Sequence, residues 1–389
     1  MPMTGTDAHP PLPLDAIRRL AGLPPDDAPT LGGGYSHVVV GIDRSHVLRF
    51  ARPDRAVRLR HEASILRTIH ASRETGPVRN RLPRVVAEIE GDALPSAGGR
   101  RPGSPLTGPA PRDWSGYRRA RLRSPEYAAL TGPAPRDWSG WHGLVIPRFH
   151  GTNAFRAWLG ADEARRSGWV AQAVGILREV HRIRGGTYVA GWFDTRHEAA
   201  GHDWRATYRH YLDDLSARLS TADLGGARPL VTAATRAAFD RLDSLAYVAG
   251  PVMGHGDFHL HNVVVDGDLV TGIIDWEWAG PTEPDADLAH LLRWAAFPAH
   301  PADEDLEASV SASDFAIVAP AAWEAYPEVA GTPDLEARHL VYQVSHDLHA
   351  LTRDPRSAQA TTRLAAWLDG RLASLMPGAA TSPSGTGAT

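Results

Sequence analysis

The chain has 389 residues, a formal charge of -4, 43% hydrophobic residues and no Cys. This length can bury a sizeable core and form more than one folded unit. The charge offers no basic footprint for nucleic acid, the missing Cys excludes disulfides and a thiolate nucleophile, and no segment approaches the roughly 20 apolar residues that span a membrane.

All 41 basic residues are Arg, so any fixed side-chain cation in this protein is a guanidinium. Residues 1–28 read as an N-terminal segment. Its Pro-rich beginning lacks a basic stretch leading into an apolar one, and the protein is expected to be soluble and cytoplasmic, with no membrane partner.

Residues 29–148 open on Gly32-Gly33-Gly34-Tyr35-Ser36 before the β-prone Val38-Val39-Val40. A Gly-rich turn suits close approach of backbone to phosphate, making Gly33, Gly34 and Ser36 candidates; three glycines alone equally make a flexible hairpin. Next comes the strand-like Val47-Leu48-Arg49-Phe50, then a segment where Leu59, Ala63, Leu66 and Ile69 recur at helical spacing and Glu62 lies among them. Arg49 and Glu62 are expected to pair, with Arg49 or Arg52 able to hold phosphate bidentately.

Residues 94–138 are rich in Pro and Gly, and residues 106–116 recur without change as 130–140. Two copies are too few for a solenoid. They are expected to form a poorly ordered insertion in a loop, with Trp114 and Trp138 able to cap a substrate. The following run from Leu144 to Phe149 reads as a short extended linker between lobes whose backbone, around Val145 and Pro147, would meet a nucleotide base. Pro147 removes one donor, and an edge strand is the competing reading.

Residues 149–375 are helix-rich. Val170, Ala173, Val174, Leu177, Val180 and His181 share one helical face, and Ala337, Val341, Val344, Leu348 and Leu351 share another. Both stripes read as core, His181 included. The remaining residues, 376–389, are small and polar and are expected to be disordered.

The stretch from His255 to Asn262 reads His-Gly-Asp-Phe-His-Leu-His-Asn, and Gly272-Ile-Ile-Asp275-Trp276 follows. His255, Asp257 and Asn262 keep the spacing of a kinase catalytic loop, in which the Asp receives the acceptor hydroxyl proton and the Asn binds Mg²⁺. Asp266-Gly267-Asp268 is a turn signal between β-prone runs. The hairpin would bring Asn262 and Asp275 together as oxygen ligands of Mg²⁺. Glu277, Glu283 and Asp285 could meet an amino sugar, whereas Trp276, Trp278 and Trp294 could line a pocket for a larger apolar molecule. A rival assembly, Zn²⁺ on His255, His259, His261 and Asp257, leaves Asn262 and the hairpin unexplained.

These motifs resemble the Brenner motif and metal-binding segment of the aminoglycoside phosphotransferase family. The resemblance implies an α+β, two-lobed protein-kinase-like fold with an N-terminal antiparallel sheet, one main helix and a larger, mostly helical C-terminal lobe. It also implies catalysis by Asp257, Mg²⁺ on Asn262 and Asp275, ATP or GTP as co-substrate, and transfer to a hydroxyl of a small molecule such as an antibiotic. Residues 284–289 resemble the family segment whose second Asp braces the catalytic loop, here Asp287. The wording around Arg49 is similar to macrolide kinases. The absent Lys supports one alternative, a kinase-fold protein that binds nucleotide or natural product without transfer.

Overall fold

A computed structural model describes residues 18–22, 31–33, 38–51, 53–93, 139–188, 203–300 and 306–379. Gly34, Ser36 and Arg52, residues 94–138 with Trp114 and Trp138, and residues 380–389 of the expected tail lie outside the described residues. The chain forms two compact units, one from residues 1–71, 82–150 and 302–309, the other from 72–81, 151–301 and 310–389. The change of unit at 150/151 falls two residues beyond the boundary expected from sequence. Residues 72–81 join the second unit because the short helical turn Gly76–Arg81 packs on its helix Glu163–Val180 and strand Leu269–Ile273.

The first unit is an antiparallel sheet of β1 (Leu31–Gly33), β2 (Val38–Gly41), β3 (His46–Ala51), β4 (Ala87–Glu90) and β5 (His142–Pro147), in the order β1-β2-β3-β5-β4. Side chains alternate along a strand. Leu48 and Phe50 of β3 therefore share one face with Ile42, Ile89 and Val145, forming a small core. Arg49 faces the other way, toward α1 (Pro53–Ala71), whose Leu59, Ala63, Leu66 and Ile69 are fully buried.

The second unit is mainly helical: α2 (Glu163–Val180), α3 (Trp204–Thr221), α4 (Arg228–Phe239), α5 (Pro284–Ala296), α6 (Val318–Ala325), α7 (Leu335–Arg353) and α8 (Ala358–Leu368). Helix α7 packs against α3, α4, α5 and α8. Its stripe of Val341, Val344, Leu348 and Leu351 is fully buried, which makes it core. The same holds for α2, where Val170, Val174, Leu177 and Val180 are buried and His181 caps the C-terminus. Two small sheets complete the unit: β6 (Thr152–Asn153), β8 (Val263–Asp266) and β9 (Leu269–Ile273) in one, β7 (Val252–Gly254) and β10 (Gly280–Thr282) in the other. The loop between β7 and β8 holds the kinase-like residues.

Candidate active site

Strand β7 delivers the chain into this loop through two glycines that tolerate no side chain. A Cβ on Gly254 would lie 2.2 Å from Thr282 Cγ2, and one on Gly256 would lie 2.1 Å from the Trp278 carbonyl oxygen. Gly256 also has φ +79, a region that glycine enters without strain. The loop can therefore lie flat against the segment 278–282.

Asp287, in the first turn of α5, fastens the loop. It accepts the backbone N–H of His255 at 2.6 Å and of Gly256 at 2.8 Å, and His181 Nε2 lies 3.0 Å away. Burial raises the pKa of Asp287, but the His181 hydrogen bond and charge outweigh it, and the carboxyl is held below its ordinary value. His255 is fully buried with both ring nitrogens in use. Nε2–H donates to the Ile274 carbonyl at 2.9 Å, while Nδ1 accepts from the Asp257 N–H at 3.3 Å. This fixes a neutral tautomer, in keeping with a pKa lowered by burial. With no nitrogen left to coordinate, His255 cannot serve the His-rich Zn²⁺ site considered above. His261 stacks on Phe155, with ring centroids 4.1 Å apart.

Asp257 keeps part of its side chain exposed. Its Oδ1 lies 3.4 Å from His259 Nε2 and 3.8 Å from His290 Nδ1. Burial raises its pKa, yet the imidazoles, His259 foremost, bring it down to about 2. The carboxylate is thus ionised at neutral pH.

Asn262 connects the loop to the hairpin. Its side-chain amide donates to the Asp257 carbonyl at 2.9 Å, and its own carbonyl accepts from the Ile274 N–H at 2.9 Å. The hairpin forms as expected, with Val263 opposite Ile273 and Asp266 opposite Leu269. Asp275 follows at once in the left-handed region, φ 69 and ψ 57, at an expected cost of roughly 1–3 kcal/mol. With its amide nitrogen committed, Asn262 has Oδ1 as its ligand atom. That oxygen and the Asp275 carboxylate are the hard oxygens here that could hold Mg²⁺, which takes few protein ligands and completes its shell with water and phosphate.

In the first unit, Arg49 and Glu62 form the expected ion pair. Arg49 Nη1 lies 2.5 Å from Glu62 Oε1, and both residues are buried. Gly33 pairs with Val38 where β1 meets β2, on either side of residues 34–37. The expected linker differs: residues 142–147 are β5, an interior strand between β3 and β4. The Val145 carbonyl accepts from the Val86 N–H at 2.9 Å. Pro147 ends the strand opposite His46.

The acids offered to a substrate are mostly occupied. Glu283 is buried, accepting from the Tyr188 hydroxyl and from the Ala249 N–H at 2.8 Å. Asp285 takes a bidentate pair of bonds from Arg338 at 2.7 and 2.9 Å. Glu277 is buried too. These positions make Glu283 a structural residue: its carboxyl is held by fixed donors, and burial, outweighing them, raises its pKa above the ordinary value. Trp276 packs on His255, with ring centroids 4.5 Å apart. Trp278 does line a cavity of about 70 Å³, with Gly256, Tyr208, His290 and Tyr342. Sequence reading missed His290, although it stands one helical turn beyond Asp287 and so shares its face.

A loop of this geometry on an α+β kinase-like fold defines a phosphotransferase. The phosphotransferase enzyme family, APH, matches residues 27–326, and the chain belongs to that family. A search of curated proteins returned no match. Among solved structures, a thermostable mutant of aminoglycoside phosphotransferase APH(4)-Ia in its apo form is similar at 16% identity and a TM-score of 0.55, covering 92% of this chain and 98% of that one. A ternary complex of a variant of that enzyme with AMP-PNP and hygromycin B is 15% identical over 88% of this chain and 94% of that one, with a TM-score of 0.54. ADP-bound APH(2'')-Ib is 11% identical over 94% of this chain and 100% of that one, with a TM-score of 0.53. At these identities the likeness concerns the fold. Among the described residues no helix is long and apolar enough to cross a membrane.

Proposed function

We propose that the protein transfers the γ-phosphate of ATP or GTP to a hydroxyl of a small molecule, with an antibiotic or related natural product as the acceptor class. The observation that carries this reading is the tie from the Asp257 carbonyl through Asn262 to the backbone of Ile274, the residue before Asp275, made by two 2.9 Å hydrogen bonds. A binder needs no ionised carboxylate held beside such a pair. Solved relatives in complex with AMP-PNP and hygromycin B, or with gentamicin, support a nucleotide and a small hydroxylated acceptor.

On this reading Asp257 orients the acceptor hydroxyl and takes its proton as the oxygen attacks the γ-phosphorus. The bond from that phosphorus to the bridging oxygen breaks, and ADP or GDP leaves. His259 Nε2, 3.4 Å from Asp257 Oδ1, steadies that carboxylate. Asn262 and Asp275 would hold Mg²⁺, which would neutralise charge on the phosphate oxygens. Gly33, Gly34, Ser36 and Arg49 are assigned to the nucleotide, with Glu62 fixing the Arg49 guanidinium. Guanidinium thereby answers the lack of Lys, since its planar fork holds carboxylate and phosphate together. Most of the rate gain would come from positioning and electrostatic stabilisation.

The test is a transfer screen: purified protein, Mg²⁺, ATP or GTP, and a panel of aminoglycosides, macrolides, nucleosides and small alcohols, read by product mass. An acceptor heavier by one phosphoryl group is expected. Nucleotide binding without any such product across the panel would contradict the proposal.

A further inference from the structure

Resting on the phosphotransferase reading, the geometry points to a narrower acceptor: an uncharged alcohol bearing a planar ring whose edge enters the aromatic pocket near Asp257, with polycationic amino sugars excluded. Two lining residues connect the pocket to the base. His290, in its lining, has Nδ1 3.8 Å from Asp257 Oδ1, and Gly256 precedes Asp257 in the chain.

Five aromatic rings stand in its walls, Trp204, Tyr208, Tyr211, Trp278 and Tyr342, beside polar Thr282, Gln343 and Ser345. Several of these rings fix one another. Trp204 meets Tyr208 edge-on at 4.8 Å and 71°, Tyr208 meets Tyr211 at 6.1 Å and 84°, and Trp204 Nε1 donates to the Tyr342 hydroxyl at 2.9 Å. Such walls are preformed, so a planar ring gains contact area without first ordering its partners.

The charges point the same way. Asp287 is the single acid among the described lining residues, and its oxygens already receive the N–H groups of His255 and Gly256. Asp285 and Glu283 nearby are held by Arg338 and Tyr188. The lining cation, Arg293, pairs with Asp347, but Arg363 shares that carboxylate at 2.7 Å, leaving two guanidiniums on one acid. Burial keeps His290, with a pKa of about 4, and His346, well below its ordinary value, uncharged at neutral pH. An ammonium entering here would leave water without gaining a free carboxylate, which is costly, whereas a neutral ring loses little solvation.

Size limits what enters. At about 70 Å³ the cavity is smaller than the enclosed space of about 150 Å³ that holds benzene, so one ring edge lodges inside while the rest of the molecule stays outside. A single cation can also sit over aromatic faces. The test must therefore include one.

Calorimetry on the full chain with Mg²⁺ and nucleotide, joined to product mass, compares benzyl alcohol and uridine as neutral ring alcohols, choline as a monocation and kanamycin as a polycation. A neutral ring probe is expected to bind at least tenfold more tightly than choline or kanamycin, and Trp278→Ala, or Trp278→Leu if that variant does not fold, should weaken it at least tenfold. Tighter binding of choline or kanamycin, or no binding of either neutral probe, overturns the assignment. If a ring alcohol binds through Trp278 but is not phosphorylated, the phosphotransferase reading fails while the pocket assignment stands. Efficient phosphorylation of kanamycin instead would leave the transferase standing and remove the pocket assignment.

Discussion

Asp287 Oδ2 lies 2.6 Å from the main-chain nitrogen of His255, so the acid on α5 fixes the first residue of the catalytic loop. Its other oxygen fixes the next residue, Gly256. Removing this carboxylate would strand two backbone donors and the buried His181. Asp287→Ala is expected to cost about 3–5 kcal/mol, a figure typical of breaking a buried charged group from its partners. Asp287→Asn retains one acceptor and should cost less. Urea denaturation of both variants measures the difference, and equal stability to wild type would remove the bracing role.

Asp275 adopts a left-handed backbone that Asn also tolerates, so Asp275→Asn should fold normally. Losing the charge should raise the Mg²⁺ concentration needed for half-maximal nucleotide binding by roughly tenfold or more, because a hard cation prefers carboxylate to amide oxygen. Calorimetric nucleotide titrations across a Mg²⁺ series would show this. An unchanged Mg²⁺ requirement would argue against Asp275 as a ligand.

The buried pair of Arg49 and Glu62 makes a separate prediction for the first unit. Arg49→Ala leaves Glu62 fully buried without that guanidinium and should destabilise the protein by about 3–5 kcal/mol. Arg49→Lys retains a cation and should lose less stability, while raising the KM for nucleotide because an ammonium lacks the bidentate fork. Denaturation and nucleotide kinetics on both variants separate the two effects.

His339 is fully buried on α7, and neither ring nitrogen has a hydrogen-bond partner among the described residues. Burial lowers its pKa to about 4, below an unfolded value of 6.5. Between those values the unfolded chain binds more protons than the folded one, so stability falls as pH drops from about 6.5 toward 4. The depressed carboxylates, Asp257 and Asp287, act in a lower window: their contribution is present above the unfolded value of 3.8 and is lost only as pH falls below it. Tm should therefore decline between pH 7 and pH 5, and His339→Leu should flatten the decline. A slope unaltered by that substitution would show that other groups govern it.

The catalytic loop was legible because its spacing is local: His255, Asp257 and Asn262 lie on one short segment, and Asp266-Gly267-Asp268 announces the hairpin. Arg49 and Glu62 were legible as a strand followed by a periodic helix. The linker was not, because an apolar run such as 144–146 looks the same whether it is a free connection or an interior strand. Its status depends on pairing with residues 46–51 and 87–90, distant in sequence. Glu283 was misjudged for a related reason. Nothing beside it in the chain reveals that Tyr188 and the Ala249 N–H close over its carboxylate.

The account rests most directly on Asp257, and phosphate transfer by wild type and Asp257→Asn to the same acceptor tests it. The variant should keep its fold and nucleotide affinity while kcat falls by about 10²–10⁴, the usual contribution of a general base. Unimpaired transfer by Asp257→Asn would contradict the assignment of Asp257 as the proton acceptor and, with it, the proposed mechanism.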